Sequence, residues 1–182
     1  MIIILDFGSQ YSELIARRIR ECSVYSEVRS NTITAAEINT LTDLKGIILS
    51  GGPFSVFDEN APKIDPEIFQ LDIPILGICY GMQLMSHTLG GTVKQGKSQE
   101  YGKANLYIDN NFDLFEGLWL EMAIWMSHGD SVVKLPEGFT QLGHTDSCDH
   151  AAMGNTNKKF YGVQFHPEVV HTPKGMDIIR NF

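Results

Sequence analysis

Basic residues are scarce in this sequence, and long apolar runs are absent. The 182 residues include 14 Lys and Arg against 22 Asp and Glu, which gives a formal net charge of -8 with no basic run. Nucleic-acid binding needs clustered basic side chains, so we expect no nucleic-acid partner. No apolar stretch reaches the roughly 18–20 residues of a membrane span, so we expect no membrane association. Residues 1–5 predict a short buried strand and not a signal peptide.

Cysteine is also scarce. The three cysteines, Cys22, Cys79 and Cys148, are widely spaced and include no Cys-x-x-Cys pair, so neither a disulfide framework nor a zinc knuckle is predicted. His144, Cys148 and His150 are close in sequence, but their spacing fits no common metal site. We interpret them as surface residues and predict no metal. A reducing cytoplasm fits this cysteine usage.

The order of apolar patterns predicts the fold. In the first half, strand-like runs at 1–5, 24–28, 45–50 and 74–78 alternate with helical patterns at 9–21, 35–40, 64–70 and 81–89. This order predicts an α/β fold with an open, mostly parallel twisted sheet and helices on both faces. In the second half, shorter strand-like runs at 103–108, 121–126, 139–145, 150–155 and 159–165 precede a helical tail at 174–182. We expect these strands to form an antiparallel extension within a single domain spanning 1–182.

The end of the run at 74–78 carries the first chemical signal. Residues 77–83 read GICYGMQ, so an apolar strand leads through Gly-x-Cys-x-Gly into a helical pattern. This order predicts a strand–nucleophile–helix turn with Cys79 as the nucleophile. A Cβ at Gly77 or Gly81 would crowd the strained turn. The following helix would direct its N–H groups and positive dipole end at the sulfur, which favours the thiolate.

A base and a carboxylate follow a strand far downstream. Residues 161–168 read YGVQFHPE. Residues two apart in an extended chain face the same side, so Glu168 can hold the ring of His166 in one tautomer. With Cys79, they form a nucleophile–base–orienter set.

Backbone donors and polar side chains complete the predicted site. Residues 50–53 read SGGP after a strand, and we predict an oxyanion hole formed by the N–H groups of Gly52 and Tyr80. Gln83, one helical turn after the nucleophile, can hydrogen-bond a small polar substrate through its amide. Residues 125–130 read WMSHGD, and they either present backbone groups, Ser127 and Asp130 to the same pocket or form a solvated loop.

Both signatures, GICYGMQ and GVQFHPE, resemble those of the class I (triad) glutamine amidotransferases, and the resemblance covers nearly the whole chain. It implies that Cys79 attacks the side-chain amide of L-glutamine. His166, oriented by Glu168, would protonate the leaving ammonia, and water would hydrolyse the thioester. The substrate-binding residues expected on this basis are Gly51, Gln83, Ser127 and His128.

Four further segments resemble one branch of this class, which supplies ammonia for the amination of XMP to GMP in purine biosynthesis. They are residues 6–11 (DFGSQY), 50–53, 126–130 (MSHGD) and 169–172 (VVHT). This resemblance implies a partner ATP pyrophosphatase (synthetase) domain or subunit that holds ATP and Mg, and no cofactor in this chain. The loop SGGPFS matches the pyrophosphate loop of such domains only superficially, because Phe54 replaces its aspartate. The ATP pyrophosphatase domain is therefore expected to be absent from these residues.

Other functions stay open on the sequence. One is a glutaminase subunit for a different acceptor, of the anthranilate or aminodeoxychorismate type. A second is a γ-glutamyl hydrolase or cysteine peptidase built on the same turn. A third is a binding module that retains an inactive site.

Overall fold

The computed structural model describes residues 1–95 and 100–182 of the chain. Within this part of the chain, the strands are β1 (Ile2–Asp6), β2 (Ser26–Ser30), β3 (Gly46–Leu49), β4 (Ile75–Ile78), β5 (Thr92–Ile108), β6 (Glu121–Lys134), β7 (Thr140–His144), β8 (Ala152–Asn155) and β9 (Phe160–Val163). The helices are α1 (Ser12–Glu21), α2 (Ala35–Ile38), α3 (Tyr80–Thr88) and α4 (Gly175–Asn181). Short 3₁₀ helices cover Pro66–Gln70 and Asp113–Phe115. No helix in the described ranges is long and apolar enough to cross a membrane.

The strands form one mixed sheet in the order β2-β1-β3-β4-β9-β8-β7-β5-β6. The pairs from β2 to β9 are parallel. The pairs from β9 to β6 are antiparallel and extend one side of the sheet. The α/β fold predicted from the sequence, with its antiparallel extension, is therefore confirmed.

Helices cover both faces of the parallel half. Along β1, Ile2 and Ile4 pack with apolar residues of α1 and α4, whereas Ile3 and Leu5 pack with residues of α2 and α3. Successive side chains of a strand point to opposite faces, so a continuous apolar run buries both. This explains why β1 reads as an unbroken apolar run in the sequence.

Some predicted elements differ from those observed. The helix predicted at 64–70 is a 3₁₀ turn that begins at Pro66, where the Asp65 side chain accepts a hydrogen bond from the Glu67 amide. The strands predicted at 103–108 and 121–126 are parts of the longer β5 and β6, which pair antiparallel with a register irregularity between Gln95 and Glu100. The remaining residues of β5 and β6 are mostly polar, so no apolar pattern indicated a strand there. They form strands because each pairs with the other, and a single sequence segment does not show its partner.

The topology brings the predicted chemical segments together. Parallel strands β3, β4 and β9 are neighbours, so their carboxyl ends lie at one edge of the sheet, where ligands of α/β folds bind. Residues 50–53 follow β3, Cys79 follows β4 and residues 164–168 follow β9. β6 reaches the same edge, because the Trp125 carbonyl accepts a hydrogen bond from the His166 amide at 3.0 Å.

Candidate active site

Cys79 occupies a strained turn between β4 and α3. Its φ of 51° and ψ of -108° lie in a region that non-glycine residues rarely adopt. A Cβ on Gly81 would lie 2.3 Å from the Leu49 carbonyl oxygen, and one on Gly77 would lie 2.7 Å from the Gly81 carbonyl carbon. Neither position accepts a side chain without movement of the backbone. The turn therefore has the geometry of a nucleophile elbow, with α3 beginning at the next residue.

His166 lies between the sulfur and a buried carboxylate. Its Nδ1 is 2.8 Å from Glu168 Oε1, and the two side chains are 6% and 0% exposed. Burial acts to lower the pKa of His166, but hydrogen bonds to Cys79 and Glu168 raise it to about 10. The raised pKa favours the imidazolium form of His166. Because Glu168 engages Nδ1, Nε2 is left to face the sulfur.

The loop that carries His166 is held in place by contacts from β6 and α1. Thr172 Oγ1 donates to the His166 carbonyl at 2.7 Å and accepts from the Trp125 amide at 3.1 Å. Arg18 Nε donates to the Glu168 carbonyl at 2.9 Å. These supports come from distant parts of the chain, so the two signatures do not reveal them.

A chain of side-chain amides ends at the sulfur. Gln83 Nε2 donates to the Asp130 carbonyl at 2.8 Å and to Gln164 Oε1 at 3.2 Å, and Gln164 Nε2 donates to Cys79 Sγ at 3.7 Å. A backbone carbonyl only accepts hydrogen bonds, so Asp130 fixes the orientation of Gln83 and, through it, that of Gln164. The sequence analysis missed Gln164. Its available signal was its position two residues before His166, on the same side of an extended chain.

This chain of amides changes the expected role of Gln83. Its NH₂ group, which we expected to bind substrate, already has two acceptors within the protein. Gln83 lines the cavity above the nucleophile. Its carbonyl oxygen is therefore the atom that remains to contact a ligand there.

A cavity of about 560 Å³ lies next to Cys79. It is lined by the predicted residues Gly52, Gln83, Ser127, His128 and Asp130, and also by Ser55, Asp58 and Tyr101. Gly51 lies behind this wall, where a Cβ would be 3.2 Å from His166 Cε1. The structure therefore places Gly51 where it leaves room for the His166 ring.

The predicted backbone donors lie on two sides of the nucleophile. Gly52 lines the cavity together with Cys79, and Tyr80 is the first residue of α3. The first N–H groups of a helix have no acceptor within that helix, so the Tyr80 amide can serve a ligand. The Tyr80 side chain points away and donates to the Pro62 carbonyl at 2.7 Å.

The polar segment 127–130 belongs to β6 and is not a solvated loop. Cys79 Sγ lies 3.4 Å from the Ser127 carbonyl oxygen. His128 is buried, and its Nδ1 is 2.9 Å from the Asp130 carbonyl oxygen. Burial lowers the pKa of His128 against the opposing effects of Asp130 and Glu100.

The interpretation of Cys148 as a surface residue is wrong. Its side chain is 2% exposed, because the β7–β8 turn folds it into the core. Burial raises the pKa of the Cys148 thiol to about 12. His144 has a more exposed side chain and pairs with Asp109 at 2.9 Å, away from Cys148.

A strained cysteine with a buried His–Glu pair beside a polar cavity defines a thiol-dependent hydrolase or transferase. The family model described as "Glutamine amidotransferase class-I" matches residues 3–182. The chain therefore belongs to the class-I glutamine amidotransferases.

Several similar proteins belong to one branch of that family. Over all 182 residues, the chain is 62% identical to a GMP synthase (glutamine-hydrolyzing) of Thermosynechococcus vestitus and 58% identical to that of Bacillus subtilis. It spans 34% and 35% of the lengths of these relatives. A solved structure from Thermoplasma acidophilum, described as a GMP synthase subunit, is 33% identical with a TM-score of 0.85, and the match covers 99% of this chain and 90% of the Thermoplasma chain. A Thermotoga maritima glutamine amidotransferase at 20% identity and a TM-score of 0.71 shares the fold.

Proposed function

We propose that this chain hydrolyses L-glutamine to glutamate and ammonia through a thioester on Cys79. The observation that carries the proposal is the buried His166–Glu168 pair, 2.8 Å apart, which shares a cavity lining with Cys79 in its strained turn. The family match over residues 3–182 supports treating residues 1–182 as one glutaminase domain.

The first half-reaction uses the paired thiolate. Cys79 Sγ attacks the side-chain carbonyl carbon of glutamine, and the N–H groups of Gly52 and Tyr80 hold the developing oxyanion. The tetrahedral intermediate collapses as its C–N bond breaks. His166 gives its proton to the departing nitrogen, which leaves as ammonia.

The second half-reaction uses the same histidine as a base. In the thioester, the sulfur no longer carries the negative charge that helps to raise the pKa of His166. The neutral ring then takes a proton from water, and the resulting hydroxide attacks the thioester carbonyl. Cleavage of the C–S bond releases glutamate and returns the Cys79–His166 pair. Glu168 holds the ring in one orientation through both steps.

The cavity supports recognition of an amino-acid substrate. Gln83 and Ser127 line the cavity and carry carbonyl oxygens that can accept hydrogen bonds, and Asp58 and Asp130 line it as well. These groups suit the ammonium end of glutamine. His128 would contribute to the cavity wall more than to direct catalysis, because its ring is engaged by protein groups.

We infer that the ammonia serves the amination of XMP to GMP in a partner ATP pyrophosphatase domain or subunit. Support comes from relatives called GMP synthase at 62% and 58% identity, of which this chain spans about a third. ATP and Mg would be held by that partner. A reducing compartment such as the cytoplasm would keep the Cys79 thiol active.

Glutamate release is the test of this function. It would be measured with glutamine alone, and again with a matching synthetase, ATP, Mg and XMP, beside a Cys79→Ser control. Cys79-dependent release that rises with the synthetase supports the whole proposal. Glutamate release that does not change when the synthetase is added supports the glutaminase activity and indicates a different acceptor for the ammonia. Release from γ-glutamyl peptides in preference to glutamine favours a γ-glutamyl hydrolase, and no release by folded protein refutes the catalytic proposal.

A further inference from the structure

Three side chains that commonly bind metals converge outside the triad. Glu100 of β5, His128 of β6 and Cys148 of the β7–β8 turn each offer one ligand atom, and these atoms all lie within 4.8 Å of one another. His128 and Cys148 are 6% and 2% exposed, and the Glu100 side chain is 14% exposed. The cluster is therefore shielded from water on most sides.

The hydrogen bonds of His128 leave a lone pair facing a carboxylate. Its Nδ1 is 2.9 Å from the Asp130 carbonyl oxygen, which only accepts, so Nδ1 carries the hydrogen. In the neutral ring, Nε2 then has a lone pair, and Glu100 Oε2 lies 3.0 Å from it. Two acceptors at this distance repel each other unless a proton or a metal cation stands between them.

The surrounding hydrogen bonds fix each ligand. The Asp130 carbonyl orients the His128 ring, and the Ser147 hydroxyl donates to the other carboxylate oxygen of Glu100. The Cys148 amide donates to Thr145 Oγ1 at 3.0 Å, which fixes the turn that carries the thiol. Metal sites in proteins typically have such outer hydrogen bonds, and a histidine ligand is commonly held through its other ring nitrogen.

We propose that Glu100, His128 and Cys148 bind a divalent transition-metal ion of the zinc type. Thiolate, imidazole and carboxylate are all zinc ligands, and water can occupy the fourth tetrahedral position. A coordinated thiol loses its proton, so binding would release the Cys148 proton to solvent.

The ion would act on the structure of the cavity wall. Glu100 immediately follows the register irregularity of β5, and His128 lines the cavity near Cys79. Coordination would join this part of β5 to β6 and to the β7–β8 turn. This inference does not depend on glutamine hydrolysis, because its ligands include none of the triad residues.

Cobalt binding gives a direct test. Metal-stripped protein, expressed with any synthetase region that its gene encodes, would be titrated with Co²⁺ and followed by near-ultraviolet and visible absorption. The expected result is a thiolate-to-cobalt charge-transfer band with tetrahedral visible bands. The band should persist in Cys22→Ser and Cys79→Ser and disappear in Cys148→Ser. Glu100→Gln should weaken binding by at least the ~10–100-fold seen when an outer partner of a metal ligand is lost.

Two absorption results would overturn the proposal. Absence of the band in wild-type protein would mean that a proton alone links His128 and Glu100. Loss of the band in Cys79→Ser, with retention in Cys148→Ser, would place the ion at the catalytic thiol. As a second readout, Zn²⁺ should raise the unfolding temperature of wild type and Cys22→Ser by more than that of Glu100→Gln, whose binding is weaker. This comparison decides the matter even if Cys148→Ser does not fold, and equal Zn²⁺ shifts in all three proteins would refute the site.

Discussion

Gln164→Met should slow the reaction of Cys79 with an alkylating reagent. Gln164 is fully buried, and its Nε2 donates to the sulfur at 3.7 Å. Methionine is a flexible side chain of similar length that fills the space without offering an N–H donor. Gln83 would keep its bond to the Asp130 carbonyl, so the substitution mainly removes the donor to sulfur.

The expected magnitude follows from the strength of a hydrogen bond to a charged group. Such a bond contributes about 1.5–3 kcal/mol. The N–S distance of 3.7 Å is long, so we take the lower end. Since 1.4 kcal/mol corresponds to a factor of ten, the equilibrium between thiolate and thiol should shift about tenfold toward the thiol, and the population of reactive thiolate should fall by up to that factor.

Iodoacetamide alkylation measures this population, because the thiolate is the reacting form. Mass spectrometry of the Cys79 peptide would follow this residue separately, and Cys22 in the same sample provides an internal control whose rate should not change. The difference in Cys79 alkylation rate between wild type and Gln164→Met should shrink as the pH is raised, because the thiol then ionises even without the Gln164 amide. Gln83→Met should give a smaller deficit, because it removes only the group that orients Gln164.

Two outcomes would refute this reasoning. Equal Cys79 alkylation rates in wild type and Gln164→Met across the pH range would show that the amide does not stabilise the sulfur. A deficit that is independent of pH and shared by Cys22 would indicate a general change in structure.

Three further predictions concern the loop that carries the base. Thr172→Val leaves the His166 carbonyl and the Trp125 amide without their buried partner, so the free energy of unfolding in urea should fall by about 2–3 kcal/mol and glutaminase activity should also fall. Thr172→Ser keeps the hydroxyl and should stay near wild type in both measurements. Equal losses in the two variants would contradict the role of the hydroxyl. Gly175→Ala would place a Cβ 1.8 Å from the Pro167 carbonyl oxygen, so a loss of at least about 1–3 kcal/mol is expected, and unchanged stability and activity would refute it. Burial acts to lower the pKa of His166, but Cys79 and Glu168 raise it from 6.5 to about 10, so the stabilisation from this proton is complete below pH 6.5 and is lost as the pH rises through about 10. The stability difference between wild type and His166→Gln should therefore shrink over this range in urea unfolding, and a constant difference would contradict the assignment.

The elbow and its position could be predicted because they follow local rules. A short apolar strand, Gly-x-Cys-x-Gly and a helical pattern specify the turn around Cys79. The structure shows the physical reason for two of its glycines, since a Cβ on Gly77 or Gly81 would meet backbone atoms. Likewise, the alternation of strands and helices was enough for the parallel half, where each strand is a short continuous apolar run.

The environment of the site could not be predicted, because it depends on contacts between distant segments. Gln164 contacts the sulfur only because Asp130 of β6 fixes the amides between them. Cys148 has polar neighbours in the sequence, but the β7–β8 turn buries its side chain. Glu100 reaches His128 through the pairing of β5 with β6, which apolar periodicity does not encode. The Cys148 and Glu100 contacts are set by antiparallel strand pairing, and the Gln164 contact is set by the parallel pairing of β4 with β9.

The nucleophile and the base are positioned by the same strand end. The Cys79 amide donates to the Val163 carbonyl at 2.8 Å, and Gln164 Nε2 donates to its sulfur at 3.7 Å, so residues 163 and 164 hold both the strained backbone and the side chain of the nucleophile. Gly52 belongs to a different segment, which is tied to β6 by the Ser55–Asp130 hydrogen bond at 2.5 Å. The proposed oxyanion donors, Gly52 and Tyr80, are therefore divided between two elements, whereas Cys79 and His166 are both held by the end of β9. A partner that activates the proposed glutaminase is thus expected to act on the Gly52 segment. Its binding would then raise glutamine turnover and leave the alkylation rate of Cys79 unchanged. A matching rise in both rates would place its action on the triad.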